Sequence, residues 1–109
     1  MEEIDRTTFA ELQAAAGAEF VAELVDTFLE EAPQMLAELR RALAEGNADR
    51  FRRAAHSLKS NSQTFGALGL ADLARELELR GLPADAAPLE ALAHEYAVVK
   101  AALTALRHG

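Results

Sequence analysis

The residues able to do chemistry concentrate in one stretch of this 109-residue chain, Ala55-His56-Ser57-Leu58-Lys59-Ser60-Asn61-Ser62-Gln63-Thr64-Phe65-Gly66. Wound as a helix at roughly 100° per residue, it separates into two faces. Phe51, Ala54, Ala55, Leu58, Ser62 and Phe65 fall within about 60° of the Phe51 direction and form a buried stripe. Arg52, Lys59, Gln63, His56, Asp49 and Ser60 lie between roughly 80° and 180° from it. His56 therefore points away from the core. Arg52 and Arg53 precede it by one turn, and Lys59 and Ser60 follow it by one turn. An outward histidine among cations and small polar groups is the feature to explain.

Several chemistries lack their residues. There is no G-x-x-x-x-G-K-[ST] or G-x-G-x-x-G phosphate loop, so ATP binding by those means is excluded. There is no H-E-x-x-H, and His56, His94 and His108 are far apart in sequence, so no metal site is expected. Ser57, Ser60 and Ser62 come without an oxyanion-hole or elbow motif, which leaves hydrolase chemistry little support. No cysteine is present, so thiol, disulfide and zinc-thiolate chemistry are absent. What remains is the imidazole as nucleophile. An ordinary exposed imidazole, with a pKa of about 6.5, is mostly neutral at pH 7, and its free nitrogen can attack phosphorus. Phosphoryl transfer asks the protein for positioning and for charge stabilisation at the phosphoryl oxygens. Lys59 is one turn along and supplies a cation. Ser60, also one turn along, is small and leaves the ring open to a partner. Away from this context Lys59 would be an ordinary solvated lysine, and His94 and His108 are read as ordinary surface groups, His108 suiting a helix C-terminus.

The elements that must hold this stretch are helical. Alanine and leucine dominate and β-branched residues are few. Asp5 or Thr8 can cap a first short helix, Thr8 through a capping box with Glu11, and Gly17 ends it. A second helix is predicted over about Ala18 to Glu45, where Val21, Leu24, Val25, Phe28, Ala32, Met35, Leu36, Leu39 and Leu43 recur at three- and four-residue steps. Pro33 lies inside it and predicts a kink or local irregularity. Gly46 stops this helix and Asn47 caps the next. The third helix, about Ala48 to Phe65, carries His56 and ends at Gly66, with Gly69 following. Ser62 faces the stripe and bonds a backbone carbonyl. A fourth helix, about Leu70 to Arg80, buries Leu70, Leu73, Ala74 and Leu77. Asp85 caps the last helix, Pro88 sits in its first turn, and Leu89, Leu92, Tyr96, Val99, Leu103 and Leu106 form its seam. The expected fold is all-α: an up-and-down four-helix bundle, with an additional short N-terminal helix as a lid at one end. Residues 1–109 read as a single domain.

The bulk numbers agree. Half of the residues are hydrophobic, which opposes disorder. The net charge of −7 disfavours nucleic acid and anionic membrane as partners. Against that sign, the local cluster Arg50, Arg52, Arg53 and Lys59 points to a small anionic group, although each charge alone reads as part of a solvated face. No apolar run reaches transmembrane length. The start, Met1-Glu2-Glu3-Ile4-Asp5, lacks the basic beginning and apolar middle of a signal peptide, so the cytoplasm is the expected compartment.

Ala55-His56-Ser57-Leu58-Lys59-Ser60, followed by Phe65-Gly66-Ala67, resembles the signature of histidine-containing phosphotransfer (HPt) domains, H-x-L-K-G/S-x-x-x-x-L/F-G. Phe28-Leu29-Glu30-Glu31-Ala32-Pro33 is similar to the family's second-helix segment. Arg52-Arg53-Ala54-Ala55 resembles its approach to the histidine, and Leu73-Ala74-Arg75-Glu76-Leu77-Glu78 its following helix. The resemblance implies a four-helix bundle that takes a phosphoryl group from one receiver-domain aspartate and passes it to another receiver in a two-component phosphorelay. His56 would be the phosphoacceptor and Lys59 the phosphate-facing cation. Ser60, Gln63 and Arg52 would support them. Ser60 stands where many members have Gly, and Gln63 where a small residue is common. It also implies a phosphocarrier rather than an enzyme, with no cofactor of its own and Mg²⁺ on the partner receiver. Partners would be response-regulator receivers and a hybrid histidine kinase, and the expected state is a monomer. Ile4, Phe9, Phe20 and Leu29 are the candidate docking residues, with core or cap packing the equal alternative. The alternative function is a helical adaptor or inhibitor that binds a receiver or kinase without being phosphorylated.

Overall fold

The computed structural model describes residues 3–108, so Met1, Glu2, Gly109 and the side chain of His108 lie outside the described residues. Five helices follow in order: α1 Arg6–Ala16, α2 Ala18–Glu45, α3 Ala48–Thr64, α4 Leu68–Arg80 and α5 Ala87–His108. Helices α2 to α5 pack in a ring, α2 on α3, α3 on α4, α4 on α5 and α5 back on α2, while α1 lies on α2 and α3. Short connections between packed neighbours make this the expected up-and-down bundle with a short helix added at its N-terminal side. No helix among the described residues is long and apolar enough to cross a membrane.

The core is the predicted stripe from each helix. Phe51, Ala55, Leu58, Ser62 and Phe65 of α3 and its end are buried, and Ala54 is half-buried beside them. From the other helices come Val25, Phe28 and Leu39, then Leu70 and Leu77, then Leu92, Val99 and Leu103. Each large aliphatic side chain buried this way contributes about 1.5–3 kcal/mol before entropy is subtracted. The buried Ser62 hydroxyl donates to the Leu58 carbonyl at 2.7 Å, as its place on the stripe required.

Four local features differ from expectation or refine it. The first helix is capped by Asp5, whose carboxylate accepts from the Thr7 amide, while the Thr8 hydroxyl donates to that same carboxylate. Helix α4 starts at Leu68, so Gly69 is a helical residue and not a breaker. A Cβ at Gly69 would meet only the tip of the Glu95 side chain, at 3.0 Å, which can swing aside. Helix α2 runs unbroken through Pro33. The proline has no N–H for the Leu29 carbonyl, and the Tyr96 hydroxyl of α5 donates to that carbonyl instead, at 3.3 Å. Gly66 is more than a helix stop. It has φ +78°, and a Cβ there would stand 2.8 Å from the Asp5 carbonyl oxygen. The Asp5 amide in turn donates to the Gly66 carbonyl at 2.8 Å, tying the start of α1 to the end of α3.

Candidate functional site

His56 sits midway along α3 with its side chain 56% exposed. The Asn47 side chain starts this helix by accepting from the Arg50 amide, and the buried stripe fixes its rotation, so His56 is turned outward. Lys59 follows one turn later. Helix α4 returns along α3 and brings Glu78 opposite both. One Glu78 carboxylate oxygen lies 2.6 Å from His56 Nδ1, and the other lies 2.8 Å from Lys59 Nζ. The Glu78 and Lys59 side chains are only 16% and 20% exposed, so these contacts are partly shielded from water.

The charge state of Glu78 follows from its partners. The Lys59 ammonium, with the His56 contact adding to it, holds the Glu78 carboxyl below its ordinary range against partial desolvation. An ionised carboxylate only accepts hydrogen bonds, so Nδ1–H of His56 is the donor. In the neutral ring the lone pair then resides on Nε2. The site presents an exposed imidazole with a defined tautomer, a carboxylate behind it and an ammonium one turn along.

The other residues singled out in the sequence divide. Ser60 and Gln63 are exposed, and the Ser60 carbonyl accepts from the Thr64 hydroxyl. Arg52 does not reach toward His56. It pairs with Asp49 at 2.9 Å, and Arg53 pairs with the same carboxylate at 3.1 Å. Arg50 bridges Glu38 at 2.6 Å and Glu45 at 2.9 Å. The basic cluster is thus neutralised by nearby carboxylates, which corrects the expectation that it gathers to meet an anion. Ile4 and Phe9 are corrected as well: each is 3% exposed, packed in the core, and offers no docking surface. Leu29 is half-buried against the core. Phe20 is 52% exposed but stands fifteen residues before Met35, about 22 Å along the α2 axis. Met35, with Glu31, Glu38, Arg53, Ala54 and Ser57, lines a groove of about 490 Å³ between α2 and α3, on the flank of α3 next to His56. His94 is exposed on α5, away from this set in the sequence and in a separate shallow groove with Ala97 and Ala101. Among the described residues, no group of three or more His, Cys, Asp or Glu side chains is placed to hold a metal ion.

Residues 23–109 match the model of the Hpt domain family. The chain belongs to that family. A structural relative, histidine-containing phosphotransfer protein B (HptB) from Pseudomonas aeruginosa PAO1, is 34% identical and superposes with a TM-score of 0.88, covering 97% of this chain and 95% of that one. A search of curated protein sequences found no match. The Hpt match begins within α2 and takes in all of α3, α4 and α5, so His56, Lys59 and Glu78 all lie inside it.

Glu78 is the member of this arrangement to which the sequence alone assigns no role. It is there only the last letter of a helix resembling the Hpt family's. Its signal was weak but present: it adjoins Leu77 at the edge of the α4 stripe, where a charged residue can face the neighbouring helix.

Proposed function

We propose that this Hpt domain carries phosphoryl groups between receiver-domain aspartates in a phosphorelay, with His56 Nε2 as the attacking atom. The Nε2 lone pair attacks the phosphorus of an aspartyl phosphate. The N–P bond forms, the P–O bond breaks, and the aspartate carboxylate leaves with the electron pair. The Nδ1 proton stays on the ring, so positive charge develops there as the bond forms. Glu78, 2.6 Å from Nδ1, stabilises that charge and keeps the ring oriented. Lys59 meets the charge on the phosphoryl oxygens. The reverse sequence delivers the group to a second receiver.

The observation that carries this reading is the contact between His56 Nδ1 and Glu78 on an otherwise exposed ring. Without it the histidine would be one more surface residue. The protein acts as a carrier: Mg²⁺ and the acidic pocket belong to the receiver, and this chain contributes nucleophile, cation and counter-ion. One chain closes the bundle, so the carrier works as a monomer, in the cytoplasm with its receivers.

The test is label transfer from a phosphorylated receiver to wild type and to His56→Gln. Acid-labile, base-stable label on wild type alone is the expected result. Label on the His56→Gln variant would place the acceptor elsewhere. Receiver binding with no label on wild type would favour the adaptor function.

A further inference from the structure

In the resting protein Lys59 is already engaged. Its ammonium sits 2.8 Å from the Glu78 carboxylate, whose other oxygen holds His56. The cations that flank His56 on the other side, Arg52 and Arg53, are committed to Asp49. A phosphoryl group on Nε2 would therefore find Lys59 as the cation one turn away, and would find it bound to another anion. Two anions would then compete for one ammonium. A dianionic phosphoryl group outcompetes a carboxylate, and the lysine has a flexible stem and three donors with which to move.

We propose that phosphorylation hands Lys59 over from Glu78 to the phosphoryl group, and that this exchange makes Glu78 a positioning residue that sets how far the transfer equilibrium lies toward phosphohistidine. The proposal rests on the phosphotransfer reading above. The Lys59–Glu78 pair stabilises the unphosphorylated state only, and so opposes retention of the phosphoryl group. A carrier has to release its cargo, and a counter-ion that reclaims the lysine favours release. Glu78 need not be left bare after the exchange. It keeps the His56 Nδ1–H, which carries positive charge in the phosphorylated ring. Arg75 lies three residues before it on α4, is exposed, and makes no ion pair among the described residues. At that spacing it can take the place of Lys59 beside Glu78.

The experiment is a double-mutant cycle on the transfer equilibrium. One phosphorylated receiver domain is equilibrated in turn with wild type, Glu78→Gln, Lys59→Met and the double variant. The ratio of phosphorylated carrier to phosphorylated receiver is read in each. Gln retains an oxygen that accepts from Nδ1–H, and circular dichroism checks that each variant is folded. Hand-over predicts that the change in the ratio on Glu78→Gln is about fivefold more favourable to phosphohistidine when Lys59 is present than when it is absent, the worth of one partly shielded ion pair. Direct repulsion between Glu78 and the phosphoryl group, and the attraction of Glu78 for the charged ring, contribute equally in both backgrounds and cancel. An equal effect in both backgrounds, or a more favourable one without Lys59, overturns the proposal, because Lys59 would then keep Glu78 after phosphorylation. Failure to label wild type overturns the phosphotransfer reading together with this proposal, and the wild-type arm alone tells that case apart.

Discussion

Replacing Gly66 by alanine tests how α1 is fastened to the helix that carries His56. Two costs add. At φ +78° an L-residue occupies left-handed space, which costs about 1–2 kcal/mol. The new Cβ would also stand 2.8 Å from the Asp5 carbonyl oxygen and 3.1 Å from Thr8 Cβ. That oxygen is backbone and cannot swing away, so the start of α1 has to retreat. Retreat stretches the Asp5 N–H bond to the Gly66 carbonyl, now 2.8 Å, and its loss is worth about 1 kcal/mol. The expected total is about 2–4 kcal/mol, or a fall in Tm of about 10–25 °C for a domain of this size. Gly46→Ala is the internal control, because Gly46 has φ +68° and open space around it, so only the backbone cost applies. Urea unfolding followed by circular dichroism measures both. Gly66→Ala should exceed Gly46→Ala by about 1–2 kcal/mol, the share due to contact with α1. Equal losses would refute the reasoning, since α1 would then not press on the end of α3.

Other outcomes follow from single contacts. Tyr96→Phe leaves the Leu29 carbonyl without a donor and should lower stability by about 0.5–1.5 kcal/mol in urea. The same substitution should cost less in a Pro33→Ala background, where residue 33 regains the N–H that Leu29 lacks. Glu78 is held ionised chiefly by Lys59, so its folded pKa lies below the ordinary value of 4.5. The stability it contributes is complete above the ordinary value and disappears as pH falls through the lowered one. The stability gap between wild type and Glu78→Gln should therefore narrow as pH falls from the ordinary value of 4.5 through the lowered one, and a gap independent of pH would contradict the ionised contact. Asn47→Ala removes the side-chain acceptor for the Arg50 amide at the start of α3 and should cost about 1 kcal/mol in the same unfolding assay.

The helices were legible because their signals are local. The spacing of Val21, Val25, Phe28, Ala32 and Leu39 set α2, and Gly46 and Asn47 marked its end and the start of α3. The outward direction of His56 followed from the Phe51 stripe alone. What the sequence hid depends on which helices face one another and at what register. Glu78 meets His56 from twenty-two positions away, across the α3–α4 interface. Ile4 and Phe9 read equally as docking or core residues, and it is the packing of α1 on α2 and α3, tied by the bond between Asp5 and Gly66, that buries them. The arginine cluster, taken alone, shows only its own sign. Asp49, three and four residues before Arg52 and Arg53, carried the counter-signal, and helical spacing already placed it within reach. Arg50, by contrast, finds Glu38 only because α2 and α3 pack together.

The central claim is that His56 Nε2 receives the phosphoryl group while Nδ1 stays bonded to Glu78. The most direct measurement is NMR of protein carrying ¹⁵N-labelled histidine, before and after phosphorylation by a receiver domain. The expected result is a resting His56 with the proton on Nδ1 and the lone pair on Nε2, and phosphorus coupling to Nε2 after transfer. Phosphorus on Nδ1, or a resting ring protonated on Nε2 alone, would contradict the claim.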